Sequence, residues 1–214
     1  MFSFETIKNF DNHIELSIPN YEHLIKLIKN ISTYFIKDNT YVYDLGCSTG
    51  NFLKHLSSLH NNVKFVGIDN SENLIPKENI KDKLSFECKN LIGYDFQKLS
   101  FATSIFTLQF LSIEDRKNLL KKIYDAMIQE GALIVAEKIY MDEGFYQDIF
   151  TFSYYDFKSE SFSREDILSK QTDLRSIMKP LSKRENEEIF LEIGFKYVDF
   201  FRSLNFVAWI LNKT

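Results

Sequence analysis

Cysteine, proline and glycine are all scarce in this chain, with two, three and seven residues among 214. So little turn and linker chemistry leaves no repeat, low-complexity run or composition break at which to divide it. A chain of this length suits one hydrophobic core, so a single domain over residues 1–214 is expected. Cys47 and Cys88 stand far apart with no CxxC or Cys/His company, whereas a structural zinc site takes about four ligands; no metal is expected. Long apolar runs are missing as well. Stretches such as ALIVA from Ala132 fall far short of the roughly 20 residues that cross a bilayer, so no membrane span is expected. The opening MFSFETIKNF has neither a basic n-region nor a small-residue cleavage site, and a cytoplasmic protein is expected. No dense basic cluster is present either. The 26 Lys and Arg are spread along a chain with 30 Asp and Glu and a net charge of −4. That distribution argues against stable nucleic-acid binding and for a small-molecule substrate.

What is abundant is core material: 44% hydrophobic residues, including 21 Phe and 11 Tyr. PNYEHLIKLIKNISTYF places Leu24, Ile25, Ile28, Ile31 and Phe35 at three- and four-residue steps after Pro19, which predicts an amphipathic helix within an N-terminal helical segment over about 1–38. TYVYDL then reads as a buried strand, NFLKHLSSL as a helix and VKFVGID as a second strand. LSFEC and FATSIFTL predict a third and fourth strand, SIEDRKNLLKKIYDAMIQ a helix, and GALIVAEKIY a fifth strand opened by Gly131. Such alternation predicts an α/β fold, a mainly parallel sheet with helices on both faces. A helical insertion is expected over about 144–193, crowded with aromatic residues from Phe145 to Phe157. The ending FKYVDFFRSLNFVAWILNK reads as a hairpin turning at Ser203-Leu204, its last strand antiparallel to the rest.

Two short stretches carry the chemistry. In YDLGCSTGN a strand gives way to small residues at the carboxyl edge of the sheet, where α/β folds bind ligands. Gly46 and Gly50 permit unusual backbone angles or close ligand approach, and Ser48 is nearly as small. About twenty residues later, VKFVGIDN ends on Asp69, placed to accept bonds from a ribose diol, with Asn70 beside it; either also makes a good helix N-cap for SENLI. The spacing G-x-S-x-G is neither the dinucleotide fingerprint nor a lysine-bearing phosphate loop, which favours a nucleoside without a phosphate chain. The same five residues fit the serine-hydrolase elbow, but His13 and His23 precede Ser48 and His55 and His60 follow it closely, against that fold's late histidine.

These residues resemble a class I S-adenosylmethionine-binding, methyltransferase-like Rossmann fold, with seven strands and an antiparallel C-terminal hairpin strand. Taken with SIPNY, YDLGCSTG, GIDNS, FTLQFL, KIYDAMIQEGALIVAEK, DFK and the C-terminal GF…FFRSLNFVAWI, nearly the whole chain resembles the carboxy-S-adenosylmethionine synthase family. That resemblance implies the conversion of S-adenosyl-L-methionine and prephenate to carboxy-S-adenosyl-L-methionine, which serves modification of the tRNA wobble uridine. It further implies a homodimer with a shared active site. The implied cofactor contacts are Tyr21, Asp44, Gly46, Cys47, Ser48, Gly50, Asp69 and Asn70. Asn90 and Leu91 fall where the family has an acid and its neighbour at the adenine, and Ile105 stands in place of an asparagine. The family arginine that reaches a neighbouring subunit and grips the cofactor carboxylate falls on Gln171, a neutral amide without the bidentate fork. Arg175, one helical turn on, is the candidate replacement. Prephenate itself supplies the proton acceptor and the carbon dioxide, so the protein positions reactants and excludes water. FYQDIFTFSYYDF is a candidate wall for that pocket, a core element or a dimer surface. Two alternatives stay open: an ordinary methyltransferase that has lost the carboxylate grip, and a cofactor-binding protein without catalysis.

Overall fold

Seven strands line up in one sheet in the order β3-β2-β1-β4-β5-β7-β6. They are β1 (Tyr41–Leu45), β2 (Lys64–Asp69), β3 (Leu84–Cys88), β4 (Leu99–Ile105), β5 (Met127–Lys138), β6 (Lys196–Ser203) and β7 (Phe206–Asn212). The computed structural model describes residues 9–213; residues 1–8 of the expected N-terminal segment and residue 214 lie outside the described residues. The first five strands pair in parallel, and β7 runs antiparallel between β5 and β6. The hairpin at Ser203-Leu204 therefore forms as its sequence predicts, and the whole sheet is that of a class I methyltransferase-like fold. Because the parallel strands share one direction, Leu45, Asp69, Ile105 and Lys138 end on the same edge.

The helices are α1 (Phe10–Ser17), α2 (Tyr21–Phe35), α3 (Asn51–Leu59), α4 (Ile113–Ala126), α5 (Gly144–Ser159), α6 (Arg164–Ile177) and α7 (Lys183–Ile193). Leu24 and Ile28 of α2 and Leu53 and Leu56 of α3 bury against one face of the sheet. Leu119, Leu120 and Ile123 of α4 and Ile189 and Phe190 of α7 bury against the other. The segment expected as one insertion thus divides. α7 covers the sheet, held by a capping box of Ser182 and Glu185 and ended by Gly194 at φ 109°, while α5 and α6 stand over the carboxyl edge.

Expected boundaries shift at two places, the fourth strand and the junction of α4 with β5. The fourth strand begins two residues earlier, at Leu99, and stops at Ile105, because Phe106 turns to φ 57°. The helix expected through Gln129 ends at Ala126, and β5 opens at Met127 rather than at Gly131. Met127 is buried opposite Leu99, and tertiary burial overrides the helical phase of MIQ. Gly131 serves a crowded bulge after Glu130 (φ 61°). A Cβ there would lie 2.5 Å from Met127 Cγ and 3.0 Å from the Ile128 carbonyl oxygen.

Candidate functional site

The loop after β1 is folded back onto β2. The backbone N–H groups of Gly46 and Cys47 both donate to the Ile68 carbonyl, at 2.7 and 3.1 Å, and Gly50 donates to Cys47 at 2.8 Å. Gly46, Ser48 and Gly50 all take positive φ, 76°, 47° and 68°, a region that favours glycine. The protein itself also approaches closely: a Cβ on Gly46 would lie 2.3 Å from Thr107 Oγ1, and one on Gly50 2.4 Å from the Phe86 ring. Asp69 closes the loop. Its Oδ2 accepts from Ser48 N at 2.8 Å and its Oδ1 from Ser71 N at 2.9 Å. Residues 71–75 form a turn and not the helix expected at SENLI, so the bond to Ser71 N is an Asx turn and no helix cap; each carboxylate oxygen keeps a further lone pair for a ligand. Asn70 is exposed beside it.

Two observations fit this loop to a nucleoside with a cationic amino-acid tail. Ser48 Oγ is buried with no hydrogen-bond partner, a polar atom that normally finds one. Asp44 is buried, with one hydrogen bond accepted from Thr103 Oγ1 at 2.6 Å. Burial, partly offset by that bond, pushes its carboxyl up to about 7, and Asp69 adds like-charge repulsion. An ammonium or sulfonium placed here would restore its ionised form. Burial, with Asp44 next, also pushes the Tyr21 phenol up, and the Tyr21 ring packs on Phe106 at 6.5 Å between centroids. Tyr21 is thus both a packed aromatic and a neighbour of the acidic site. The Cys47 thiol is buried and likewise pushed up, first by burial and then by Asp44 and Asp69, which leaves it a small apolar liner rather than a nucleophile. S-adenosylmethionine, if held here, would meet Ser48 and Asp69 with its ribose and Asp44 with its charged portion.

α1 covers the loop from outside. Asp11 accepts from Thr49 Oγ1 and Asn51 Nδ2, both at 2.7 Å. Neither contact was expected, since nothing in local sequence ties position 11 to position 49.

FTLQFL clamps the ends of neighbouring strands. Thr107 Oγ1 donates to the Leu45 carbonyl at 2.9 Å, Leu108 N donates to Glu137 Oε1 at 3.1 Å, and Gln109 Oε1 accepts from Lys138 N at 3.0 Å. Arg116, almost fully buried, donates to the Leu108 and Lys179 carbonyls and to Asn186 Oδ1. The motif therefore fixes the ends of β1 and β5 relative to each other. Ile105 is half-buried against the core on the α2 side. Asn90 is exposed and spends its Oδ1 on Ile92 N at 2.9 Å, while the Leu91 side chain is buried in the core on the opposite face. Of the two, only Asn90 is exposed; the Leu91 carbonyl accepts from Tyr94 N at 3.2 Å.

Gln171 and Arg175 do not join the glycine loop. Both lie on α6 and line a separate cavity of about 50 Å³ in their own chain, with Lys138, Tyr154 and Asn205. An aromatic wall of Phe106, Phe206 and Tyr154, with centroids 5.6 and 5.3 Å apart, separates it from Tyr21. Thr103, Thr107, Glu137, Lys138 and Asn205 were not foreseen. The only signal for the last three is polarity at the end of an apolar strand or hairpin.

A family model described as "Methyltransferase domain" matches residues 42–131. Carboxy-S-adenosyl-L-methionine synthase of Staphylococcus epidermidis is 35% identical over 99% of this chain and 95% of that protein. The protein of the same name from Helicobacter pylori is 34% identical over 96% of this chain and 90% of its own. That of Trichodesmium erythraeum is 31% identical over 100% and 88%. Among solved structures, the plantazolicin methyltransferase BpumL in complex with SAH matches with a TM-score of 0.67 at 16% identity, over 95% of this chain and 87% of that one, a likeness of fold. With the glycine loop, the acid of β2 and the antiparallel hairpin in place, the chain belongs to the carboxy-S-adenosyl-L-methionine synthase family of S-adenosylmethionine-dependent transferases.

Proposed function

We propose that this protein converts S-adenosyl-L-methionine and prephenate to carboxy-S-adenosyl-L-methionine, phenylpyruvate and water. Prephenate loses carbon dioxide and hydroxide; the hydroxide takes a proton from the cofactor methyl group, and the methyl carbon forms a new bond to the carbon dioxide. No protein base is needed. The chain's part is to hold the nucleoside through Ser48 and Asp69, to set the charged portion near Asp44, and to keep water from the captured carbon dioxide. The observation that carries this reading is the full-length likeness to synthases of that name, together with a separate cavity holding Lys138, Gln171 and Arg175 further along the same sheet edge.

The product serves formation of the 5-oxyacetyl group at the wobble uridine of tRNA, which places the enzyme in the cytoplasm. It works as a homodimer. In support, Phe145, Ile149 and Phe152 stand one or two turns apart on α5 and are 71, 42 and 65% exposed, an apolar stripe suited to a second copy. Among the described residues no helix is long and apolar enough to cross a membrane.

The test is mass spectrometry of products after incubation with both substrates. The expected result is a species heavier than S-adenosylmethionine by one carbon dioxide, together with phenylpyruvate. Gln171 in place of arginine favours one other reading, an ordinary methyltransferase. Unconsumed cofactor with prephenate, but transfer of its methyl group to another acceptor, would establish that reading instead.

A further inference from the structure

The cavity under α5 and α6 is unlike the rest of the molecule in its charge. Lys138 and Arg175 line it, with Gln171 and Asn205, and no acidic side chain does. Lys138 is the last residue of β5, and its Nζ has only ring partners: Tyr154 at 4.7 Å and Phe206 at 6.0 Å from the centroids. Lys158 of α5, 5% exposed, sits on the other ring contacts of the same group, 5.7 Å from Tyr154 and 5.3 Å from Phe162. None of the ion pairs among the described residues involves Lys138 or Lys158. Lys158 also lines a second cavity that holds Asp166 and Asp173, but the half-buried Lys138 ammonium has no carboxylate in its own cavity, which is unfavourable in the protein alone. Such an arrangement persists where a ligand supplies the missing charge.

A second observation points into the same space. Asn205, in the turn between β6 and β7, is 1% exposed, lines the cavity, and has its side-chain oxygen without a partner. A buried acceptor of this kind awaits a donor. The cavity volume, about 50 Å³, matches a carboxylate or a water or two and is far too small for a nucleoside. Its place is also suggestive. The carboxyl ends of β1 and β5 are separated only by β4, so Lys138 stands about 10 Å along the edge from the glycine loop.

We infer that this cavity is the subsite that takes a carboxylate of the second substrate, with Lys138 of the same chain as its ion-pairing group, Gln171 and Arg175 at its mouth and Asn205 accepting from a ligand hydroxyl. Acid and nucleoside then bind on opposite sides of the Phe106–Phe206 wall, with the charge for the acid supplied in cis by β5. The inference rests on the two-substrate reading above, and its test separates the two.

Calorimetric titration of prephenate into protein saturated with S-adenosylhomocysteine gives the acid's Kd, and titration of S-adenosylhomocysteine alone gives the nucleoside's. Lys138→Met keeps the length and removes the charge. It is expected to weaken prephenate about tenfold or more, the scale of a lost charged hydrogen bond, with the S-adenosylhomocysteine Kd within about twofold. In turnover it raises KM for prephenate more than it lowers kcat. Asn205→Asp, which places a carboxylate against Lys138, is expected to abolish prephenate binding in a protein that still binds S-adenosylhomocysteine. If wild type forms the carboxylated product and both variants bind prephenate as wild type does, the subsite is overturned and the proposed reaction stands. If wild type forms no such product but binds prephenate through Lys138, the reaction falls and the acid subsite stands. If wild type binds no prephenate by calorimetry, the subsite is overturned.

Discussion

The two halves of the sheet's carboxyl edge differ in charge and in how they are built. Over β1 and β2, Asp44 and Asp69 gather around a loop of three positive-φ residues, and the loop is rigid because Asp69 and the Ile68 carbonyl hold its backbone. Over β5 and β7, Lys138 and Lys158 lie among aromatic rings, and side chains of helices α5 and α6 form the cavity. One half suits a cation and a diol; the other suits an acid. Keeping opposite charges apart until a ligand bridges them is how a single edge can orient two reactants of opposite charge, and the FTLQFL clamp fixes their spacing through Leu45, Glu137 and Lys138.

The largest expected effect breaks the rigid half. Gly46→Ala puts a Cβ at positive φ and 2.3 Å from Thr107 Oγ1, so a loss of about 3 kcal/mol is expected from strain and overpacking together, read as a fall in denaturation midpoint. Thr107→Ala in the same chain should recover part of it by opening the space. Next, Asp69→Ala removes the loop tie and the ribose acceptor. S-adenosylmethionine affinity should drop about 10- to 100-fold by calorimetry, the range of charged hydrogen bonds, and the denaturation midpoint should fall as well, by less than in Gly46→Ala, because Ser48 N and Ser71 N lose their acceptor.

Asp44 sharpens the contrast through pH. Its carboxyl, raised by burial to about 7 from an ordinary 3.8, stays protonated in the fold when the unfolded chain is already ionised. The native state therefore binds more protons between about pH 4 and 7, and this residue's effect makes stability fall as pH rises across that window and then level off. Asp44→Asn removes the titration. Its melting temperature relative to wild type should rise from pH 5 to pH 8, while its affinity for S-adenosylmethionine falls; an unchanged difference across pH would refute the burial argument.

Smaller effects are expected at the acid half and at the thiols. Gln171→Arg adds a bidentate cation beside Lys138 and Arg175, and a several-fold gain in prephenate affinity is expected by titration. No gain would mean that position 171 does not reach the acid. A thiol reagent on the native protein should modify exposed Cys88 and leave buried Cys47, so one thiol reacts before denaturation and two after.

The sequence alone determined the order of strands and helices and the acidic half of the site. Each depends on short-range signals: a buried run, then small residues, then an acid at the end of the next run. The same signals misplaced the junction of α4 and β5, because MIQ continues a helical apolar phase and only pairing with Leu99 makes it a strand. They left open whether the glycines serve backbone angles or a close approach; both take positive φ, and the packed chain brings Thr107 and Phe86 against them. The basic half was invisible for a different reason. Lys138, Lys158, Arg175 and Asn205 come from four separate elements with no shared period, and a lysine in sequence says nothing of its missing counter-ion. That depends on which side chains long-range packing brings together and which it keeps away, and only the tertiary structure decided it.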